Sequence, residues 1–465
     1  MSFLSETTQS RRLSGPSGDK VNTTPIVIQG GQVCDPVSGM DRLADVLIID
    51  GKIAAVDRNL PTSDSRILDA RGLIVAPGLI DMHVHLRDPG QTHKEDIASG
   101  TVAAVRGGFT AVACMPNTTP PIDHPTIVVY VRSKAAQAGV CRVYPIGAVT
   151  VRREGVELAP IETLAAAGAV ALSDDGNSVT NSGLFSRAMR YAQHVGLPII
   201  EHCEDPSLST DGVMHEGAWS SVLGLRGIPA ASEDVIVARD LVLAEETGCR
   251  LHIAHVSTTG SVRLIREAKR RGVAVTAEVT PHHLLLTDAA VEGYNAGAKM
   301  KPPLRTEADR TALVEGLQDG TIDAIATDHA PHAPEETIVE FDRVPFGVVG
   351  LETALGLVLT HLVRPGVLSL HAALRCLSSR PADILALPGG RLEVGAPADI
   401  VLIDVNRSWV VDPAAFASKS RNTPFGGWEL VGKPVLTLVA GEIKYADPAG
   451  TESVLAPKSN QVSAR

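Results

Sequence analysis

From residue 24 the chain runs through short segments in which apolar and polar positions alternate: TPIVIQGGQVCDP, ADVLIIDGKIAAVD and RILDARGLIVAPG. Gly and Asp-Gly steps separate them, so the pattern predicts strands joined by tight turns. The same texture returns near the C-terminus in ADIVLIDVNRSWVVD and KPVLTLVAGEIKYAD. Two β-rich ends around a different middle predict one small β-sandwich lobe, assembled from residues 24–76 plus 386–447.

The middle, residues 77–385, alternates strand-like apolar runs with amphipathic ones. GLIDMHVH, FTAVACM, CRVYPIGAV, AVALSD, LPIIEHC, RLHIAHV, VAVTAEV and IDAIATD are the strand candidates. Segments such as LFSRAMRYAQHVG, SEDVIVARDLVLAEETG and GSVRLIREAKRRG lie between them and carry helical spacing. Eight strands, most followed by a helix, predict a (β/α)8 TIM barrel, a fold that takes roughly 250 residues or more. A doubly wound sheet is the alternative, but no GxGxxG follows the first strand. Residues 1–23 are polar and lack a continuous apolar core, which predicts a disordered tail rather than a secretory signal. Residues 448–465 read as a similarly loose tail.

Composition narrows the function. Hydrophobic residues make up 44% and charged residues 20% of the 465, which is ordinary globular usage. Only 3% are aromatic and the net charge is -11, so neither nucleobase stacking nor binding to nucleic acid or anionic membrane is favoured. No apolar run is long enough to span a bilayer. The six cysteines are scattered and form no CxxC pair, which argues against a disulfide framework or thiolate zinc site and predicts a cytoplasmic protein.

The histidines and aspartates carry the chemistry. His83 and His85 are two residues apart at the end of the first predicted barrel strand, and a period of two puts both imidazoles on one face. Asp174 and Asp175 end the fourth strand, His202 the fifth, His255 the sixth and Asp328 the eighth. In a barrel these ends converge on the C-terminal mouth, where active sites of this fold sit. Each residue alone has a local explanation, a helix cap or a rim position; their common placement argues for one shared site. Imidazole nitrogen and carboxylate oxygen without thiolate form the ligand set of a catalytic zinc or similar divalent ion. His83, His85 and Asp328 could hold one ion and His202 and His255 a second, with an aspartate as the bridge. Two such ions can share a hydroxide that is nucleophilic at neutral pH. No lysine stands at the fourth strand end to bridge as a carbamate, and Lys94 is too early in the chain.

The ordered run DMHVHLRDPG, MPNT, SDDG, HCED, HVST, PPLR, ATDHAPH and PFGVVGLET resembles the amidohydrolase superfamily, and within it the long, bacterial class I dihydroorotase family, over residues 24 to 447. The resemblance implies reversible cyclisation of N-carbamoyl-L-aspartate to L-dihydroorotate in pyrimidine (UMP) synthesis. It implies two Zn2+ per chain: one on His83, His85 and Asp328, one on His202 and His255, with Asp175 and a hydroxide bridging. It puts substrate contacts on His85, Arg87, Asn117, His332 and the backbone around Phe346 and Gly347. The family commonly carries Asn just before PPLR; Lys301 stands there instead, its ammonium within the reach of an anionic substrate. The assembly expected is a homodimer, or a complex with aspartate carbamoyltransferase.

Opening a cyclic amide needs a nucleophile, a polarised carbonyl and a proton for the leaving nitrogen. The shared hydroxide and a Lewis-acidic ion would supply the first two. Asp328 would take the hydroxide proton and give it to the nitrogen as general acid and base. Arg87, two residues beyond a ligand, is expected to keep that ligand's strand-face direction and grip the substrate carboxylate with its planar fork. Hydantoinases and allantoinases are the competing readings, because fold does not fix substrate. A catalytically silent scaffold subunit is a third, distinguished by its freedom to lose ligands.

Overall fold

The computed structural model describes residues 24–448, 450 and 452–455. The predicted N-terminal tail and most of the C-terminal one lie outside these residues. The first and last described parts of the chain meet in one eight-stranded sheet. Its path runs Glu442–Ala446, Glu429–Val439, Ile400–Val410, Ile74–Pro77, Ile26–Asp35, Met40–Ile49, Lys52–Asp57, with Arg66–Asp69 branching onto Ile26–Asp35. The two ends of the chain join where Val75 pairs with Leu402 in antiparallel register. Ile28, Val46, Ile53, Leu68, Ile400 and Leu436 pack into one core, so strands from both ends of the path enclose a common interior.

The barrel follows directly. Its strands are Leu79–Val84, Phe109–Cys114, Arg142–Pro145, a fourth reduced to the bridge residue Leu172, Ile199–Glu201, Leu251–Ile253, Val275–Val279 and Ala324–Ile325. Successive strands pair in parallel. The fourth is joined by single bridges, Leu172 to Gly147 on one side and to Ile199 on the other. The ring closes where Val84 bridges His329 and the His85 N–H donates to the His329 carbonyl at 2.9 Å. All eight sequence runs therefore occupy the barrel in the expected order. Ile80, Ala111, Ile146, Ala171, Ile200, Ala254 and Ala324, from seven of the strands, meet in one apolar cluster. Only the barrel interior brings that many strands together.

Helices cover the outside through stripes of apolar residues. In Thr259–Arg270, the Thr258 hydroxyl accepts from the Ser261 N–H at 3.0 Å and caps the helix, while Val262, Ile265 and Ala268 are buried. They join Phe185, Met189, Val237 and Leu313 in the largest core. Among the described residues no helix is long and apolar enough to cross a membrane.

Asp399 ties the lobe to the barrel. Its carboxylate accepts from Arg142 Nε at 2.7 Å and Nη2 at 3.1 Å, and from the Ala440 N–H at 2.7 Å, while its carbonyl accepts from the Gly78 N–H at 2.9 Å. Gly78 is needed there, since a Cβ would meet Thr110 at 2.2 Å. Asp399→Ala strips the Arg142 fork of its partner and is expected to cost about 1.5–3 kcal/mol of stability. The measurement is a thermal midpoint. Metal content per folded chain should stay unchanged, because this contact lies at the N-terminal ends of the barrel strands and the clustered histidines and aspartates lie at the other.

Candidate metal centre

Six of the expected residues come together. His83 is fully buried, and its Nδ1 lies 2.6 Å from Glu278 Oε1 on the seventh strand. That carboxylate fixes the proton on Nδ1. Nε2 has no hydrogen-bond partner and lies 3.3 Å from Asp175 Oδ1 and 3.5 Å from Asp328 Oδ1. His85 donates from Nδ1 to Asn117 Oδ1 at 2.8 Å, which leaves a lone pair on Nε2. That nitrogen faces Asp328 Oδ1 at 2.9 Å and Asp175 Oδ2 at 3.6 Å. His202 Nδ1 and His255 Nε2 are 2.9 Å apart, each 3.9 Å from Asp175 Oδ1. Asp175 thus lies within 3.9 Å of all four imidazoles.

The donors fit a divalent cation. Ligands about 2.0–2.2 Å from a tetrahedral ion lie roughly 3–3.5 Å from one another, and the distances above bracket that spacing. Lone pairs facing lone pairs at 2.9 Å in a buried cluster require a proton or a metal between them. Three overlapping sets satisfy a three-ligand geometry: His83, His85 and Asp175; His83, His255 and Asp328; Asp175, His202 and His255. Charge points the same way. Burial alone lowers the His83 pKa, yet Asp328, Glu278 and Asp175 raise it well above its usual value, so the cluster attracts positive charge. Burial and the neighbouring His202 and His83 push His255 down to about 3, which keeps it neutral and able to ligate. Burial raises the Asp175 carboxyl, but His83, His85 and His202 outweigh it and hold it well below the usual range.

Backbone strain aims several of these groups. His255 has φ 30° and Asp328 φ 47°, in the left-handed region that side chains rarely adopt. Such strain costs of order 1–3 kcal/mol each and persists where the surroundings enforce it. Arg87 corrects one expectation. The first strand ends at Val84 and Arg87 sits at φ 58°, so it does not continue the strand face of His85. The turn still brings its side chain to the cavity, and Nε donates to the Pro331 carbonyl at 3.1 Å.

A cavity of ≈ 380 Å³ opens above the cluster. Every expected site residue except the buried His83 lines it: His85, Arg87, Asn117, Asp175, His202, His255, Lys301, Asp328, His332, Phe346 and Gly347. Asn117 Nδ2 donates to Asp175 Oδ2 at 3.1 Å, so this amide also orients two ligands. His332 donates from Nε2 to the Phe346 carbonyl at 2.8 Å, and burial with the nearby Arg87 lowers its pKa to about 4. Its Nδ1 is buried without a hydrogen-bond partner, 3.8 Å from Glu336 Oε2. Lys301 Nζ pairs with Glu204 at 2.8 Å and lies 5.5 Å from the Phe346 ring centre. Gly347 has its N–H committed to the Lys299 carbonyl at 2.9 Å and its own carbonyl to Asn422 Nδ2 at 2.8 Å.

Other residues take structural duties. Asp174 accepts from the Val149 and Thr150 N–H groups at 2.9 and 3.1 Å and anchors the loop beside it, leaving Asp175 to face the histidines. Lys94 pairs with Glu336 at 2.7 Å. His329 lies beside Glu95 at 3.5 Å and outside the cluster. Cys114 and Cys203 are buried, and burial pushes the Cys114 thiol up to about 12. Glu278 and His252 were not singled out by sequence reasoning. Glu278 Oε2 lies 3.3 Å from His252 Nε2, and both residues are fully buried. The available signal was a carboxylate inside the apolar run VAVTAEV, since a buried charge needs a partner.

A family model described as Dihydro-orotase-like matches residues 72–261. The chain is 56% identical over 422 residues to a dihydroorotase of Pelotomaculum thermopropionicum, covering 91% of this chain and 99% of that protein. It is 54% identical over 420 residues to one of Syntrophotalea carbinolica, covering 90% and 99%. Among solved structures, an L-hydantoinase (dihydropyrimidinase) from Arthrobacter aurescens superposes with a TM-score of 0.80 at 27% identity, over 90% of this chain and 95% of that one. A dihydropyrimidinase from Brevibacillus agri gives 0.79 at 23%, over 90% and 94%, and shares the fold.

Glu278→Ala should release His83 from its tautomer and lower affinity for a divalent ion by about 10–100-fold. Competition with a chromophoric chelator measures this without any substrate, and unchanged affinity would remove Glu278 from the metal centre.

Proposed function

The chain belongs to the dihydroorotase family and is a metal-dependent cyclic amidohydrolase, and we propose that it interconverts N-carbamoyl-L-aspartate and L-dihydroorotate in pyrimidine synthesis with Asp328 as general acid and base. The observation that carries this reading is the convergence of four imidazoles and two aspartates on the floor of a cavity whose wall holds Arg87. Two Zn2+ ions, held by His83, His85 and Asp328 and by His202 and His255 with Asp175 between them, would polarise the ring carbonyl and supply an activated water.

The chain's own groups do the rest. Asp328 is buried, and His83 and His85 hold its carboxyl ionised against the effect of burial. In ring opening it takes the proton of the attacking oxygen as the C–O bond forms. It then delivers that proton to the ring nitrogen as the C–N bond breaks. Ring closure reverses these steps. Arg87, its Nε fixed on Pro331, presents its remaining donors to the substrate carboxylate. The second Nδ2 hydrogen of Asn117 and the Lys301 ammonium serve the same anion. His332 offers its unpartnered Nδ1 as an acceptor for a ring N–H, and the Phe346–Gly347 main chain forms the opposing wall. A silent scaffold role has no support in the residues, because every ligand position is filled.

Asp328→Asn keeps an oxygen near the ligands but removes the base. Turnover should fall by at least about 10²–10⁴-fold, and a variant with full metal and near-normal turnover would place the proton shuttle elsewhere.

Substrate identity is decided by assaying dihydroorotate, hydantoin and allantoin side by side with Arg87→Ala. Hydantoin has no ring carboxylate. Loss of charge-assisted hydrogen bonds worth about 1.5–3 kcal/mol each should cut dihydroorotate kcat/KM by roughly 10–100-fold or more, with metal content intact. Wild-type preference for hydantoin or allantoin would overturn the substrate assignment.

A further inference from the structure

Lys299 is two residues before Lys301 in KMKPPLR and is only 1% exposed. A buried ammonium is costly unless its donors are satisfied. Here they are satisfied by main chain: Nζ donates to the Phe341 carbonyl at 2.7 Å and to the Asp342 carbonyl at 3.0 Å. The same ammonium lies 4.7 Å from the Phe346 ring centre and 5.2 Å from that of Phe341, close enough for cation–π attraction to both. The Lys299 carbonyl accepts from the Gly347 N–H. One residue therefore holds the segment 341–347 at both ends. That segment supplies Phe346 and Gly347 to the cavity wall, and Phe346 in turn receives the His332 hydrogen bond. The segment is also held by His332 on the Phe346 carbonyl and Asn422 on the Gly347 carbonyl, both at its C-terminal end. It forms no helix or strand, and Glu340, Asp342 and Arg343 are exposed. Phe341 rests on a small satellite core with Met300 and Leu304, apart from the main core.

We propose that Lys299 is a positioning residue for substrate, its ammonium fixing the 341–347 segment so that the Phe346–Gly347 wall and His332 meet the bound ring in one arrangement. The group touches no reacting atom. Its loss therefore weakens ground and transition states alike, which raises KM and leaves kcat near its original value. This rests on the dihydroorotate reading of the cavity.

The test compares Lys299→Met, which keeps an apolar stem, with Lys299→Arg, which keeps charge and donors. For Lys299→Met the expected result is a KM for dihydroorotate raised roughly 10–100-fold, the scale of one charge-assisted bond lost by the loosened wall, with kcat within a few-fold and metal content unchanged. Lys299→Arg should recover part of that KM. Hydrogen–deuterium exchange of 341–347, measured without substrate, should rise in Lys299→Met and fall back in Lys299→Arg. Wild-type KM and wild-type exchange in Lys299→Met would overturn the proposal, as would a kcat loss with KM unchanged. Should Lys299→Met fail to fold, Phe341→Leu removes one of the two rings facing the ammonium without touching the cavity lining, and the same exchange and KM criteria decide. If the wild-type protein does not turn over dihydroorotate, the substrate reading fails, while the exchange experiment still decides whether Lys299 fixes the wall.

Discussion

Two buried carboxylates facing four buried imidazoles impose a severe electrostatic demand. Asp175 and Asp328 cannot stay ionised in a dry barrel mouth unless positive charge stands beside them. A divalent cation satisfies that demand better than protons do, because it accepts a lone pair from each donor at once. The surroundings are built to deliver those lone pairs. Glu278 orients His83, Asn117 orients His85, and Asn117 also holds Asp175. A mutation in any of these would be felt first as altered metal binding and only then as altered chemistry.

The barrel's closure and its chemistry share the same few residues. The bond from His85 N–H to the His329 carbonyl joins the eighth strand to the first, between one residue of the cluster and the neighbour of another. Asp328 and His255 leave the regular strand conformation at that rim. Their strained backbones are held by the pairing below them and by the packed helices outside. The lobe, tied on through Asp399 and Arg142, braces the start of the first strand at the other end.

The mouth divides into a floor and a wall with different origins. The floor comes from strand ends and is rigid. The wall comes from Arg87, Lys301, His332 and the 341–347 segment, which lie on turns and loops. A hydantoinase and a dihydropyrimidinase share this fold at 27% and 23% identity, and fold by itself does not fix substrate. In this chain that wall carries the Arg87 guanidinium and a Lys301–Glu204 ion pair.

Periodicity alone located all eight barrel strands and the β-rich ends, because apolar alternation and Gly punctuation are local properties. The fourth strand, AVALSD, was legible although it pairs only through single bridges at Leu172. The six residues that gather at the barrel mouth were legible because strand C-termini of a barrel must converge, whatever the details. Adjacent aspartates were separated only by folding: Asp174 finds Val149 and Thr150, and Asp175 finds the histidines. The aim of Arg87 depends on a left-handed turn that nothing in HLRDPG announces. Glu278 meets His83 from 195 residues away, and Lys299 meets Phe341 from 42. Local sequence determines which face a residue occupies. Which buried charge answers which is decided only when distant strands and loops are brought within hydrogen-bonding distance, since that pairing has no signature in either segment alone.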